Sequence, residues 1–512
     1  MRTSFFSSCV FCFHSLLTFG QQFGQLPLKE DYDRYTQQLV KNYKPCTIST
    51  EKDHTVFGDG MAYVLDGYLT MYETTQDKDY LFKFINQSAC ILENRHDLAG
   101  ISNEPRWGDI TYEEGNIIGT FSKFVHLVKI KDKALQSLKI HPLSSPINYS
   151  LDVGAETFGD YALWLQGKIE ETLDWFIQNG YWNDQLGFLE EPFSSSSLII
   201  NKHIGFAKAV LFLSLSGEDK YASYSNTIES LFFSQVQFYD RHVRKEYNEP
   251  LFLLNDKNAI WWYHFGWTEV RKKRKIRFKK SKGTPSIEKY TSFYEDISHG
   301  AIVMSYPIIQ WENNPITRFN QRDLIYFHRT FTQNIYDGKG GFFNAVNGED
   351  NPISDNYCKE CPHNYHALKS LMYAPYCSFD AIDSSTINVY DVLMKYYQKN
   401  VMQQAKLPSG YCCGINSGHA ELVKFQWLNE EENLTIFNRF LVYEQDFNAE
   451  GSILIAPENA AGESYAEPII SDKKFIVDTG VKTTLSAGKS IQLKTGVHFK
   501  SGSNVNVKIN KY

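Results

Sequence analysis

From Asp59 to Tyr72 the apolar residues Met61, Val64, Leu65, Tyr68, Leu69 and Tyr72 recur at intervals of three and four. That spacing keeps one face of a helix buried. A polar break at Thr74 to Asp79 (TTQDKD) interrupts the period, and Leu81, Phe84, Ile85, Ser88 and Leu92 resume it from Tyr80. Two helices joined by so short a break make a helical hairpin. The same plan returns at Ile204, Ala207, Val210, Leu211 and Ser214, with a break at Ser216 to Lys220 (SGEDK) and a second helix from Tyr221. Three further pairs fit it: Asn116 to Val128 with Tyr161 to Ile177, Ile297 to Ile309 with Phe319 to Tyr336, and Tyr365 to Tyr373 with Val389 to Tyr397. Pro307 is expected to kink or shorten its helix, because it lacks an N–H and its ring crowds the preceding turn. A sixth hairpin would lie in the less periodic stretches or take in a helix over Asp31 to Tyr43.

Hairpins repeated in this way bury their faces only by stacking on neighbours. The pattern therefore predicts a mainly α fold, an (α/α) toroid of five to seven helical hairpins, over an open solenoid. Two long connections, Tyr181 to Leu198 and Tyr336 to Pro352, carry aromatic, Gly-containing sequence (GFLEEP and GGFFNAVNG) that would cover one rim. Beyond the helical part the period changes. From Tyr465 to Ile509 Val481, Leu485, Ile491, Leu493, Val497, Phe499, Val505, Val507 and Ile509 alternate with polar residues, and Gly488, Gly496 and Gly502 mark turns, which predicts a small β C-terminal module. Leu434 to Pro457 is strand-like as well. The expected division is a catalytic toroid over residues 21–430, a β segment and linker over 431–464, and the β module over 465–512.

Residues 1–20 hold Arg2 and then an apolar stretch from Phe5 to Phe19, closed by Gly20, the pattern of a cleavable signal peptide. No later stretch reaches the roughly 20 apolar residues that a membrane span needs. A secreted or periplasmic protein without a membrane span is expected. Seven cysteines lie beyond the leader, Cys46, Cys90, Cys358, Cys361, Cys377, Cys412 and Cys413, an odd number that leaves at least one without a partner in the chain. Cys358 and Cys361 suit a disulfide or buried thiols in an exported protein. With His363 and His366 they could instead ligate zinc, but a C-x-x-C pair alone supplies half a tetrahedral shell, so no metal or cofactor is expected.

In a closed ring the inner helices run the same way, and their N-terminal ends gather at one rim. The first opens with His54 and Asp59, the second with Tyr112, Glu113 and Asn116, and the third with Asn201 and His203. The fourth opens with Tyr294, Glu295, Asp296 and His299, and the fifth with His363, Asn364 and His366. Capping alone accounts for Asp59, Asn116 and Asn201, since such residues satisfy the first backbone N–H groups. Histidine is not a preferred cap, and four of these five starts carry one. That points to acid or base chemistry near neutral pH. The stretch from Asn258 to Gly300 adds Trp261, Trp262, Tyr263, His264 and Trp267, which could stack on sugars or plug a core.

Composition narrows the ligand. The 512 residues carry a net charge of −7, without the basic excess that nucleic-acid binding would call for. Within this mildly acidic chain, Arg271 to Lys282 holds nine Lys or Arg in twelve residues. Such a run is either a solvated loop or a guide for a polyanion.

The hairpins, together with NKHIGFAKAVLFL from Asn201 and YEDISHGAI from Tyr294, resemble the (α/α)-toroid polysaccharide lyases and their glycosidase relatives over roughly residues 50–400. The resemblance implies β-elimination on a uronic acid-containing polysaccharide, and the basic run favours a sulfated one such as ulvan. In such lyases a base removes the proton next to a carboxylate, a neighbour neutralises that carboxylate, and an acid protonates the leaving oxygen. The implied counterparts are His203 or His299 as base, Asn116 or Asn201 as neutraliser, and Tyr263 or Tyr294 as acid. Glu113, Trp262, His264, Glu295 and Asp296 would complete the substrate site. A glycoside hydrolase on the same scaffold would instead pair Glu113 with Glu295 or Asp296, and a non-catalytic glycan-binding protein would use the same surface without turnover. The run TLSAGKSIQLKTGVHFKSGSNVNVKI resembles a stacked-strand module at the end of exported Bacteroidetes proteins, which implies that source and an accessory role.

Overall fold

The computed structural model describes residues 28–43, 57–108, 111–140, 154–183, 188–189, 201–237, 252–254, 259–262, 295, 297–339, 342–343, 345–348, 416–421, 423–424 and, between 433 and 509, nine strands and residue 501. The fifth predicted hairpin, at 365–397, and the Cys358 to His366 stretch lie outside these residues. Helix dominates what is described, and the fold is mainly α. None of the described helices is long and apolar enough to cross a membrane.

The helices are α1 (Leu28–Tyr43), α2 (Ala62–Thr75), α3 (Asp79–Glu93), α4 (Thr111–His126), α5 (Phe158–Gln178), α6 (Asn201–Leu215), α7 (Ala222–Gln237), α8 (Ile297–Asn313), α9 (Gln321–Arg329) and α10 (residues 416–421 and 423–424). The predicted pairing of α2 with α3 holds, although the break is tighter than its polar sequence suggests. α2 runs through Thr75, Gln76 takes a left-handed conformation (φ 57°), and its N–H bonds the Tyr72 carbonyl at 2.8 Å. The Asp77 carboxylate then accepts from the Asp79 N–H at 3.1 Å as α3 begins. α5 and α9 each start with a reciprocal box, Thr157 with Asp160 and Asn320 with Asp323, so that side chain and backbone satisfy each other's first donors.

Three expectations need correction. Asn116 does not open its helix: α4 begins at Thr111, so Asn116 sits in the second turn and is no cap. Pro307 does not shorten α8, which continues to Asn313 with Tyr306 and Ile308 buried on either side. Packing there outweighs the single backbone hydrogen bond that the proline forgoes. The helix expected from Phe319 to Tyr336 is regular only from Gln321 to Arg329, and wider turns carry the chain on from Thr330 to Ile335.

α2, α4 and α6 lie side by side and parallel. Asn116 in α4 reaches the Gly58 carbonyl just before α2, Thr120 reaches the Ala62 carbonyl, and Lys123 reaches Asp66. α4 and α6 form the most extensive helix contact among the described residues. Their backbones touch. A Cβ added to Gly205 would lie 2.3 Å from the Gly115 carbonyl carbon, and one on Gly119 would lie 2.6 Å from the Gly205 oxygen. Next, α6 packs on α8. α10 meets α8 through Lys424 and Glu312 (3.5 Å) and meets α2 through Glu421 and Thr70 (3.2 Å). α1 is tied to α10 as well, since the Asn416 amide bonds Thr36 and the Tyr32 hydroxyl bonds Asn416. Contacts therefore pass from α2 through α4, α6, α8 and α10 back to α2.

A buried clamp joins α3 to α4 and α5. The Arg95 guanidinium is fully buried, bonding Asp97 at 2.7 Å, the Lys168 carbonyl at 2.8 Å and Glu171. The Trp107 indole donates to the Ile91 carbonyl at 2.7 Å, and the Glu114 carboxylate accepts from the Trp107 and Gly108 N–H groups.

Two short antiparallel pairs lie outside the helices. β1 (Trp182–Asn183) pairs with β2 (Phe188–Leu189), and β3 (Phe252–Leu254) pairs with β4 (Ile260–Trp262). The strands β5 (Asn433–Ile436), β6 (Phe440–Leu441), β7 (Gln445–Ala449), β8 (Ser452–Ile455), β9 (Phe475–Val477), β10 (Lys482–Ala487), β11 (Ser490–Leu493), β12 (Val497–Phe499) and β13 (Asn504–Ile509) pair only in parallel. They form three three-stranded sheets, each taking every third strand. The register aligns like residues in columns: Leu434 with Ile453 and Ile491, and Phe447 with Leu485 and Val507. Strands from 433–455 thus pair directly with strands from 475–509.

The glycine contact gives a direct test. Gly205→Ala should destabilise the protein by about 1–3 kcal/mol or more, because backbone and not a movable side chain blocks the new methyl. Gly167→Ala, in α5 with nothing within 4 Å of the added Cβ, should be neutral or gain about 0.5–1 kcal/mol. Urea denaturation of the two variants checks both, and equal effects would contradict the close approach.

Candidate functional site at the helix N-termini

Because α2, α4 and α6 are parallel, the side chains in their first turns meet at one end. The turn before α2 rests on α4, where a Cβ on Gly58 would come within 2.4 Å of the Glu113 Cβ. Asn116 donates to the Gly58 carbonyl at 3.3 Å. Gly115 abuts Phe206 and Gly205, which brings the first turn of α6 alongside. There the Lys202 ammonium lies 4.7 Å from the centroid of the Tyr112 ring, a cation–π contact across the two helix starts. The Asn201 amide donates to the Glu295 carboxylate at 3.5 Å, bringing in the segment that precedes α8. The Glu295 carbonyl in turn accepts from the Val346 N–H at 3.0 Å.

Glu113, Asn116, Asn201, His203 and Glu295 are therefore gathered at one end. Glu113, Asn201, His203 and Glu295 are buried, and Asn116 is partly exposed. His299, in the first turn of α8, is exposed. Trp262 lies in β4, opposite Phe252 across the strand pair. Tyr263, His264, Tyr294 and Asp296 lie outside the described residues, as does the basic run at 271–282.

Chemically, the gathered groups comprise carboxylates, amide donors and an imidazole at the positive ends of helix dipoles. Such ends favour a negatively charged ligand group. Just behind them, burial pushes the Glu114 carboxyl up to about 8, although the Gly108 and Trp107 N–H groups and Arg106 favour its ionised form. Among the described residues no group of three or more His, Cys, Asp or Glu side chains is arranged to hold a metal ion.

A second polar set was not anticipated. Two turns further along the same helices, the Lys123 ammonium lies 2.9 Å from Asp66 and 3.7 Å from Glu73, and Lys131 lies 3.0 Å from Glu73. Lys424 lies 3.5 Å from Glu312 and 3.9 Å from Glu421. Burial works to raise the Glu73 carboxyl, but Lys131, Lys123 and Lys424 outweigh it and hold the group at about 2. Burial likewise opposes the charge of Lys123, yet Asp66, Glu73 and Glu421 raise its ammonium well above the ordinary value. The signal in the sequence was the spacing Asp66, Thr70, Glu73 and Asn116, Thr120, Lys123, polar residues on one face of helices otherwise apolar.

Comparison with protein-family models, with curated proteins and with solved structures yields no match.

The two perturbed carboxyls predict opposite pH effects. Glu114 has a folded pKa above its ordinary 4.5, so its contribution to stability is full below about 4.5 and is lost as pH rises through about 8. Glu73 lies below 4.5, so its contribution is full above that value and is lost as pH falls towards about 2. Relative to Glu114→Gln, the native protein should lose melting temperature as pH rises from 5 to 8. Relative to Glu73→Gln, it should lose melting temperature as pH falls from 5 to 3. Thermal melts across pH test both, and a pH-independent offset in either pair would remove the assignment.

Proposed function

We propose that the chain is an exported polysaccharide lyase that cleaves a uronic acid-containing polysaccharide, sulfated as in ulvan, by β-elimination. In this reading the ring of contacts through α2, α4, α6, α8 and α10 is an (α/α) toroid, and the strands from 433 to 509 are one stacked-strand accessory module. The observation that carries the reading is the gathering of Asn116, Asn201, His203 and Glu295 at the N-terminal ends of parallel helices. Those ends attract an anionic sugar, and amide donors can face a carboxylate there. Export is supported by Cys90, which is disulfide-bonded to a partner outside the described residues, as befits an oxidising compartment.

In the proposed reaction an unprotonated His203 or His299 takes the proton on C5, next to the uronate carboxylate. The electron pair from that C–H bond forms the C4=C5 double bond as the C4–O bond breaks. Tyr263 or Tyr294 gives a proton to the departing glycosidic oxygen. Asn116 or Asn201 donates to the carboxylate, offsetting the charge that builds on it in the enolate-like transition state. No metal is required if these donors suffice.

A hydrolase is the second reading, and one observation favours it: Glu113 and Glu295 are both buried carboxyl side chains at the same end. Hydrolysis would need one of them protonated across the scissile bond from the other.

Incubation of the protein with ulvan, alginate and glucuronan, following the ultraviolet absorbance of new C=C bonds, tests the proposal. Absorbance should rise on at least one uronan, and His203→Ala or His299→Ala should lower the rate by about a hundredfold or more if that residue is the base. No rise on any uronan overturns the lyase reading. Saturated product ends by mass analysis would transfer the assignment to a hydrolase.

A further inference from the structure

Inside the ring the inner helices are not sealed. Between Tyr112 and Val128 every residue of α4 and the turn that follows is buried except Tyr112, Asn116, Thr120 and Lys123, which are partly exposed. These four fall on one helical face. On α2 Tyr63 and Asp66 are partly exposed among buried neighbours, with Glu73 following in the last turns, and on α6 Lys202 and Lys208 are the partly exposed positions from Asn201 to Leu213, of which Lys208 shares the face of Asn201. On α8 the partly exposed positions after the first turn include Ile302, Ser305 and Ile309. The ionised side chains along this face keep 14–28 % of their surface exposed, so water reaches them. A hydrated polar axis thus runs inward from the rim.

Along that axis the charges are matched, with one exception. Asp66 is paired with Lys123, Glu73 with Lys123 and Lys131, and both Glu312 and Glu421 with Lys424. Lys208 faces the same space, near enough to Asp66, Lys123 and Glu421 to feel their charges. Among the described residues no carboxylate lies within ion-pair distance of its ammonium. Burial pulls the Lys208 pKa down, and Lys123 adds to this against Asp66 and Glu421. Glu421 is itself raised, chiefly by burial, which lessens the negative charge facing Lys208. An oxyanion beside Lys208 would supply the compensation that the described residues do not.

We propose that this hydrated axis is a binding site for the acidic group of a sugar residue, with the Lys208 ammonium meeting its carboxylate or sulfate ester. Lys208 stands seven residues beyond Asn201 on the same face of α6, about 10 Å further in at 1.5 Å per residue. A glycan lying only across the rim does not reach it, so the sugar enters end-on. That the oxyanion belongs to a sugar rests on the lyase reading, whereas the oxyanion site itself does not.

The test uses the full chain with sodium glucuronate, glucose 6-sulfate and glucose at matched ionic strength. Acylation of lysine amines by an anhydride is followed residue by residue with mass spectrometry. Glucuronate or glucose 6-sulfate should protect Lys208 and glucose should not, and the better protector identifies the group as carboxylate or sulfate. In calorimetry Lys208→Gln should weaken that ligand by about ten- to a hundredfold, the range open to a hydrogen bond with a charged group, and Lys208→Arg should restore most of it. Equal protection by glucose, no protection by either acid, or unchanged affinity in Lys208→Gln would each overturn the site. Protection of Lys208 without uronan cleavage would keep the site and remove the lyase reading. Cleavage without protection would do the reverse.

Discussion

The contact on which the rest of the helical structure depends is the backbone approach of α4 and α6 at Gly115, Gly119 and Gly205. No side chain fits between the helices there, so their separation and their stagger are both set by main-chain atoms. With α4 and α6 locked in parallel, their first turns must end at the same level. That level is where Glu113, Asn116, Asn201 and His203 are found. The rim is therefore a consequence of glycine placement beside the site residues themselves, Gly115 next to Asn116 and Gly205 two residues beyond His203. Ordinary side-chain packing at this spot would push the two helix starts apart and separate the amides that now flank the same space.

The same closeness explains how so many charges sit inside a helical assembly. Removing an ammonium and a carboxylate from water costs several kcal/mol per ion unless each meets good partners. Lys123 meets Asp66 on one side and Glu73 on the other, and Thr70 adds an acceptor at 3.4 Å. α2 and α4 must converge for this to happen. Lys424 repeats the arrangement between Glu312 of α8 and Glu421 of its own helix. Replacing these residues by apolar ones could well leave stability unharmed. Under the proposed oxyanion site, these charges would line a path that water also reaches.

Much of the helical plan was legible because burial leaves a period. Val64, Leu65, Tyr68, Leu69 and Tyr72 are buried as their spacing predicts, and the hairpin of α2 and α3 follows from it. Helix starts were less legible. Asn116 looks like a cap from its residue type, yet α4 had begun at Thr111, and the acidic Glu113 and Glu114 of its first turn suit the positive end of the dipole. Pro307 does not end its helix, because Tyr306 and Ile308 beside it are buried and their packing offsets the one hydrogen bond that proline forgoes. At the site, Glu113, Asn201, His203 and Glu295 could be named from their positions at helix starts. The charged axis left only the polar spacing at Asp66, Thr70, Glu73 and Asn116, Thr120, Lys123, because apolar periodicity describes the buried face of a helix and is blind to what the opposite face carries. What that face meets depends on the neighbouring helices, which no single helix reveals.

Rim and axis differ in how they handle charge. At the rim, helix dipoles and amide donors offer partial positive charge spread over several helix starts, suited to recognising an anion loosely and from many directions. Along the axis, full charges are fixed one against another, and among the described residues no carboxylate lies within ion-pair distance of Lys208. A polyanion arriving at the rim would meet diffuse attraction first and a single ammonium afterwards. This order favours entry of one acidic residue at a time, since a second would find Lys123 and Lys424 already engaged by Asp66, Glu73, Glu312 and Glu421. Under the proposed site, the depth of Lys208 below the rim would set how far a chain end advances before its acidic group is held.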